Sequence, residues 1–271
     1  MNGHAPDAMD RAELDALLEL ATSAAHDAGK ILLEHYGRLK AVRAKSSARD
    51  LVSEADVASE RLLVSRLRAA RPKHHIEAEE EVRDVIDPRV PRWFLDPLDG
   101  TTNYVHRLPI FAVSMGLYLG GLPQLAVVHL PLLGETFTAT LGGGAQLNGD
   151  ELRVSPAGSL GEAVLATGFP YRRNELEHSN LENFNRFFYD VRGMRRMGSA
   201  ATDLAYVAAG RLDGFWELHL SPHDVAAGAL LVREAGGVVT DARGDDDWLR
   251  GGSIVAAGPA LHEAIRERVV C

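Results

Sequence analysis

Two aspartates, a glycine and a run of hydroxyl and amide side chains stand together in Trp93–His106, WFLDPLDGTTNYVH. The apolar residues Trp93, Phe94 and Leu95 predict a short buried strand that delivers Asp96 at its end. Pro97 interrupts regular hydrogen bonding, Asp99 follows, and Gly100 lets the backbone turn into a helix beginning at Thr101-Thr102-Asn103. Hard divalent cations take oxygen ligands, and Mg2+ is commonly bound by one or two carboxylates together with water and substrate phosphate. A helix N-terminus offers amide donors to an anion. The stretch thus carries both halves of a metal-plus-phosphate site. Asp-Pro or Asp-Gly alone would mark no more than a turn; the whole string says more.

The elements that must position this stretch are legible on either side of it. Leu14, Leu17, Leu18, Ala21, Ala25, Ala28 and Leu32 recur at helical spacing between Asp10 and Tyr36, and Gly37 supplies a stop. The polar segment Lys45–Asp56 leads into a second helix over 55–70, buried through Leu62, Leu63 and Leu67, in which Asp56 reads as a first-turn acid. His74 and His75 read as surface residues, because neighbours on a strand point to opposite faces and cannot share an ion. Of the acidic run Glu77, Glu79, Glu80 and Glu81, one member is a candidate to point inward beside Asp96. From Ile110 to Val154, apolar runs separated by Gly and Pro turns predict consecutive antiparallel strands. The glycines of LGGGAQLNG, lacking any phosphate-loop spacing, read as hairpin turns.

Beyond Ser155 the pattern alternates: a strand at VLATGF, a helix over 174–188 with Leu181, Phe184, Phe187 and Phe188 as its apolar side, and a strand over 193–197. Ser199 suits the N-cap of a helix over 200–210, with open amides that form a second anion site or an ordinary cap. A strand at DGFWEL precedes a helix opened by Pro222, with Asp224 in its first turn and Ala226, Ala227, Gly228 and Ala229 permitting close packing. Strands at GGVVTD and SIVAAG and a terminal helix over 259–269 complete the chain. A loose tail over 1–9 and one domain over 10–271, with halves meeting near 154/155, are the expected organisation.

Composition limits the function classes. The 271 residues carry a net charge of −9 and no long basic run, which argues against a nucleic-acid-tracking surface. An acidic protein handling a phosphate needs local neutralisation, which metal ions would provide. The single cysteine, Cys271, excludes an intrachain disulfide and fits a reducing cytoplasm. Nothing resembles a signal peptide or a membrane span, so a cytoplasmic location is expected.

WFLDPLDGTTNYVH, taken with HDVAAGALLVREAGG, resembles the two signatures of the inositol monophosphatase family of Mg2+-dependent, lithium-sensitive phosphatases. KSSARDLVSEAD and EAEE fall in the matching order and spacing, so the resemblance runs from about Leu14 to the C-terminus. It implies an α/β fold layered as an α-β-α-β-α sandwich, and a homodimer. It also implies that Glu79, Asp96, Asp99, Asp224 and the Leu98 carbonyl hold two or three Mg2+ ions. By the same resemblance, Gly100 and Thr101 present amides to phosphate, while Glu79 and Thr101 hold the attacking water. Asp56 holds Thr101; Gly198, Ser199 and Ala200 lie along the substrate, which Asp99 and Asp224 also contact; and Glu217 accepts from a substrate hydroxyl. Three positions depart from the pattern: His223 replaces a tryptophan, Ala78 a glycine and Ser53 a threonine. The tyrosine-containing Thr102–His106 and the presence of Glu217 favour inositol 1-phosphate or a similar sugar-alcohol phosphate as substrate. Fructose bisphosphate, histidinol phosphate and adenosine bisphosphate are the family's alternatives. A regulatory binding protein, as some bacterial relatives are, is the reading from a different class, and a catalytically silent binder is a third.

Overall fold

The structure, a computed structural model, describes residues 9–45, 49–85 and 87–271; the expected tail therefore lies, apart from Met9, outside the described residues. Seven helices and fourteen strands are described. The helices are α1 Arg11–His35, α2 Glu54–Ala70, α3 Thr101–Val105, α4 Leu181–Phe187, α5 Ala200–Ala208, α6 Pro222–Glu234 and α7 His262–Arg266. The strands of the first half are β1 Val42–Ala44, β2 Leu51–Ser53, β3 His75–Ala78, β4 Arg92–Asp99, β5 Ala112–Leu119, β6 Leu122–Leu130, β7 Glu135–Thr140, β8 Gly144–Leu147 and β9 Asp150–Glu151. Those of the second are β10 Val164–Thr167, β11 Gly193–Arg195, β12 Gly214–Leu218, β13 Val238–Thr240 and β14 Ser253–Ala257.

Strands β3 to β9 form one seven-stranded sheet in chain order, and β10 to β14 a five-stranded sheet ordered β11-β10-β12-β14-β13. The amphipathic helices α1 and α2 cover one face of the larger sheet, burying Leu17, Leu32, Leu63 and Leu67 against Trp93, Leu95 and Met115. Its other face meets α5 and α6, which lie between the sheets and pack on both. The outer face of the smaller sheet is closed by α4 and α7 through Phe187, Trp216 and Ile265. This is the layered α-β-α-β-α sandwich expected from the resemblance.

Close approach of the central layer depends on small residues. A Cβ on Gly116 of β5 would lie 3.0 Å from that of Ala226, and one on Gly228 would lie 2.5 Å from Leu204 Cβ. The small-residue run of α6 therefore seats this helix against both β5 and α5.

Several expected elements change on folding. The strand through Trp93 runs the full length of Arg92–Asp99 and is buried throughout, so both aspartates sit on β4 itself, with the pairing to β5 shifting register between them, where Pro97 has no N–H to give. His74 is not a surface residue: it is 7% exposed, and its Nδ1 accepts from Trp93 Nε1 at 3.2 Å. The expected helix over 174–188 shrinks to Leu181–Phe187 because Asn180 is held in the left-handed region, φ 70°. Asn180 donates to Thr167 Oγ1 and the Gly168 carbonyl and accepts from Trp216 Nε1, bonds that a helical residue could not make from that place. Only Phe187 of its apolar positions is buried; Leu181 and Phe188 are exposed. The terminal helix is likewise limited to His262–Arg266.

Candidate active site

Strand β4 ends in the sharpest turn of the site. Gly100 has φ +91°, and a Cβ there would stand 3.0 Å from the Ile110 carbonyl oxygen, so glycine is required both for the turn and for the approach of the neighbouring loop. The turn directs α3 away from the sheet, and Asn103 anchors it by donating from Nδ2 to the carbonyls of Ile110 and Met197, both at 2.7 Å. The Met197 contact brings the loop at Gly198 over the end of β4.

Asp56 is fully buried at the third position of α2 and is more than a first-turn acid. Its Oδ2 accepts from Ser53 N at 2.9 Å and Ser53 Oγ at 2.5 Å, and its Oδ1 accepts from Thr101 Oγ1 at 2.9 Å. Ser53, in place of threonine, therefore keeps the capping box intact. The Leu98 carbonyl, 3.1 Å away, is the alternative acceptor for the same Thr101 proton. Burial raises the proton affinity of Asp56, against which these donors act.

Asp99 ties the two halves together. Its Oδ2 accepts from Ser199 Oγ and from Ala201 N, both at 2.7 Å, while Ser199 also caps α5 by accepting from Thr202 N. Asp96 is 2% exposed and accepts from Leu98 N at 3.0 Å. Asp224 accepts from Ser221 N at 2.6 Å in the capping box of α6, and His223 Nε2 stands 3.8 Å from its Oδ1. Glu79 follows β3, whose pairing with β4 runs unbroken from His75 to Ala78; the Ala78 methyl is taken into the core rather than displacing the strand. The loop after Glu79 is organised by Glu60, whose carboxylate accepts from the amides of Glu80, Glu81 and Val82.

Glu79, Asp96, Leu98, Asp99, Gly100, Thr101, Gly198, Ser199, Ala200, Glu217 and Asp224 all line one cavity of about 290 Å3, and Asp56 lies behind its wall at Thr101. The site residues expected from the sequence, drawn from positions 56 to 224, thus arrive at one place. Their charges oppose one another. Burial, then the charges of Glu79, Asp99 and Asp224, push Asp96 well above the usual carboxylate range. Burial, then Asp224, raises Asp99 to about 7. Burial raises Glu217 to about 8 despite the opposing charge of Arg196. A cluster of hard oxygen donors whose members resist ionising together fits a divalent cation, which would relieve that repulsion. Among the described residues no three His, Cys, Asp or Glu side chains close into a ready-made cage. Lys45 Nζ instead donates to Glu79 at 2.8 Å and to Glu80, neutralising that edge of the cluster.

Three residues here escaped the sequence reading. Lys45 stood in the quoted polar stretch, yet its role needs β1 and β2 to fold over Glu79. Arg196 lines the cavity from the loop before α5. Asp203 is 1% exposed on α5, its Oδ1 has no hydrogen-bond partner, and burial raises it well above the usual range. Its helical neighbours gave no sign of a buried acid.

The fold is a layered α/β sandwich with an acidic cavity at the carboxyl end of β4. The chain belongs to the inositol monophosphatase family, whose model matches residues 13–271. It is 43% identical over 250 residues to the Nus factor SuhB of Escherichia coli K12, covering 92% of this chain and 94% of that protein. Among solved structures, the extragenic suppressor protein suhB of Bartonella henselae superposes with a TM-score of 0.88 at 40% identity, over 93% of this chain and 98% of the other. The inositol monophosphatase of Anabaena superposes with a TM-score of 0.86 at 38% identity, over 94% and 96%.

Proposed function

We propose that the protein is a Mg2+-dependent phosphomonoesterase acting on myo-inositol 1-phosphate or a similar sugar-alcohol phosphate. The observation that carries this reading is the convergence of Glu79, Asp96, Asp99 and Asp224 on the cavity that also holds Gly100 and Thr101. Those four carboxylates and the Leu98 carbonyl would hold two or three ions. When bound, Mg2+ supplies charge to the phosphate oxygens and acidifies a water.

The chain's own groups do the rest. The buried Asp56 receives the Thr101 hydroxyl proton, which leaves the lone pairs of Oγ1 free to accept from an attacking water. Glu79, at the open side of the cluster, is placed to accept that water's proton. The amides of Gly100 and Thr101 stand at the turn that faces the phosphate. Glu217 receives a hydroxyl of the leaving alcohol, and Gly198, Ser199 and Ala200 form the wall along it. Direct attack by water needs no phospho-enzyme, and the only cysteine, Cys271, is exposed at the C-terminus. His223, in place of the bulkier tryptophan, lines the cavity beside Asp224.

A regulatory binding role is the second reading, favoured by the name Nus factor SuhB that relatives at 43–44% identity carry. The family also implies a homodimer, which light scattering would test. No helix among the described residues is long and apolar enough to cross a membrane.

The deciding experiment is phosphate release from inositol 1-phosphate, fructose 1,6-bisphosphate, histidinol phosphate and adenosine 3′,5′-bisphosphate, each with Mg2+, with EDTA, and with Mg2+ plus Li+. Mg2+-dependent preference for inositol 1-phosphate supports the reading. Preference for another ester keeps the mechanism and replaces the substrate. Folded protein inactive on all four removes the phosphatase reading in favour of the regulatory one.

A further inference from the structure

We propose that a cavity at the amino end of β4 binds a small monocarboxylate with an apolar body about the size of one ring, held by Arg92 and Arg250. This second site stands apart from the catalytic cavity at the other end of the strand, and occupying it does not depend on phosphatase activity.

Strand β4 is buried throughout, yet its first residue is an arginine. Alternate residues of a strand share a face, so Arg92 points with Phe94 toward the central layer, where Phe94 and Tyr118 belong to one core. Arg92 is also the cross-strand partner of Tyr118 on β5. These three residues line a cavity of about 160 Å3 together with Val90, Leu249 and Arg250. Leu249 and Arg250 come from the second half of the chain, so the cavity lies between the halves. Arg92 stands four residues before Asp96, about 13 Å along the strand.

The cavity holds an excess of positive charge. Arg92 is 7% exposed; its Nη1 donates to Glu77 Oε2 at 3.3 Å, while its Nη2 is buried and has no partner among the described residues. Arg250 stands at the exposed edge, its guanidinium 5.6 Å from the centre of the Phe94 ring, and its Nη2 donates to the same Glu77 oxygen at 2.8 Å. One carboxylate thus serves two guanidiniums, through one of its oxygens. The acid that lines the cavity, Asp87, is taken by Arg89, through Nε at 3.1 Å and Nη2 at 2.9 Å. What remains is one unbalanced positive charge and a buried donor without an acceptor, which folded proteins rarely leave.

Charge and size together choose the ligand. A carboxylate brings the single negative charge that balances the pair, and its two oxygens match the fork of a guanidinium. A phosphate dianion beside Glu77 would exceed that balance. The rest of the wall is apolar: Val90, Leu249 and the edge-to-face rings of Phe94 and Tyr118, 5.2 Å apart. The Tyr118 hydroxyl has already given its proton to the Ala226 carbonyl at 2.9 Å, which leaves the ligand to the two arginines. An apolar cavity of about 150 Å3 takes a benzene ring. This one therefore has room for a ring or a branched aliphatic group, and none for a nucleotide. Through its bond to Ala226, Tyr118 also links the cavity wall to α6, the helix that carries Asp224.

The test is calorimetric titration of the full-length protein in EDTA, which keeps a carboxylate from binding through an ion in the catalytic cavity. The probes are benzoate, its neutral isostere benzamide, acetate, and a short peptide ending in phenylalanine. Benzoate is expected to bind once per chain. Benzamide, lacking the charge, and acetate, lacking the apolar body, should each bind at least about ten-fold more weakly. Arg250→Met at the exposed edge and Arg92→Gln inside, which keeps a donor for Glu77, should each weaken benzoate about ten-fold or more. If one variant fails to fold, the other still decides. No binding of benzoate at millimolar concentration, equal binding of benzamide or acetate, or undiminished binding by a folded arginine variant would overturn the proposal. Tighter binding of the peptide would also overturn it, placing a chain terminus there instead of a free acid. None of these results bears on the phosphatase reading, which stands or falls on turnover.

Discussion

Replacing Asp56 tests the link between the fold and the chemistry most directly, because this carboxylate touches no solvent and yet holds a residue of the cavity. Asp56→Ala removes three hydrogen bonds, from Ser53 N, Ser53 Oγ and Thr101 Oγ1. Hydrogen bonds to a charged group contribute about 1.5–3 kcal/mol each. Relief from burying the carboxylate returns several kcal/mol, and Thr101 retains the Leu98 carbonyl 3.1 Å away. The net loss is about 2–4 kcal/mol, a fall in Tm of about 4–10 °C for a chain of this size. Asp56→Asn separates stability from positioning. With its oxygen on Ser53, its amide must donate to Thr101 Oγ1, reversing the bond that frees that atom to accept from water. Its Tm should fall by less than half as much, while Mg2+-dependent phosphate release falls about 100–1000-fold, the range spanned by losing one oriented donor at a reacting centre. Thermal unfolding and initial rates on both variants provide the measurement. An Asp56→Ala protein with unchanged Tm, or an Asp56→Asn protein within three-fold of wild-type rate, would refute the reasoning.

Asp96→Asn should abolish Mg2+-dependent turnover and the rise of Tm with added Mg2+, yet leave the metal-free Tm at pH 8 equal or higher, because it removes a charge that its neighbours oppose. A large Mg2+-induced rise in that variant would remove Asp96 from the metal site. Gly228→Ala should lower Tm by about 2–6 °C: the gain in helix propensity is outweighed by overpacking against Leu204, 2.5 Å from the added Cβ. A Tm equal to or above wild type would show that α5 and α6 can part freely. His74 and His129 are both held down to about 4 by burial, so each favours the folded state fully above the ordinary histidine value near 6.5 and loses that contribution as pH falls toward 4. By pH 5 the loss is about 2 kcal/mol for each. Because Asp99 and Glu217, raised to about 7 and about 8, act in the opposite direction over this range, the measurement is a difference: denaturation of wild type and of His74→Gln/His129→Gln at pH 7 and pH 5. The gap between the two proteins should narrow on acidification, and a constant gap would contradict the buried neutral histidines.

The residues that lie close together in the chain were legible from the sequence. Asp96, Pro97, Asp99 and Gly100 encode a strand end, a broken ladder and a turn within a few residues, and their types declare a site for a cation and an anion. The amphipathic periods of α1 and α2, the antiparallel run from β5 to β9 and the small-residue helix α6 were readable for the same reason: each is a local pattern repeated over several turns or strands. Glu79, Glu217 and Asp224 were reachable only through the resemblance, since one acid in a strand or a first turn has an ordinary explanation.

What the tertiary structure alone decided depends on partners far away in the chain. Thr101 finds Asp56, 45 residues earlier, and Asp99 finds Ser199, 100 residues later. His74 is drawn inward by Trp93, and α4 is shortened because Asn180 is claimed by β10 and β12 rather than by its own helix. The Glu217 carboxylate fits at the cavity because Gly168, on another segment, has no Cβ to meet it. Hydrophobic period and turn chemistry are written in neighbouring residues; burial and the pairing of charges are settled by whichever segments the packed layers bring back to the same place.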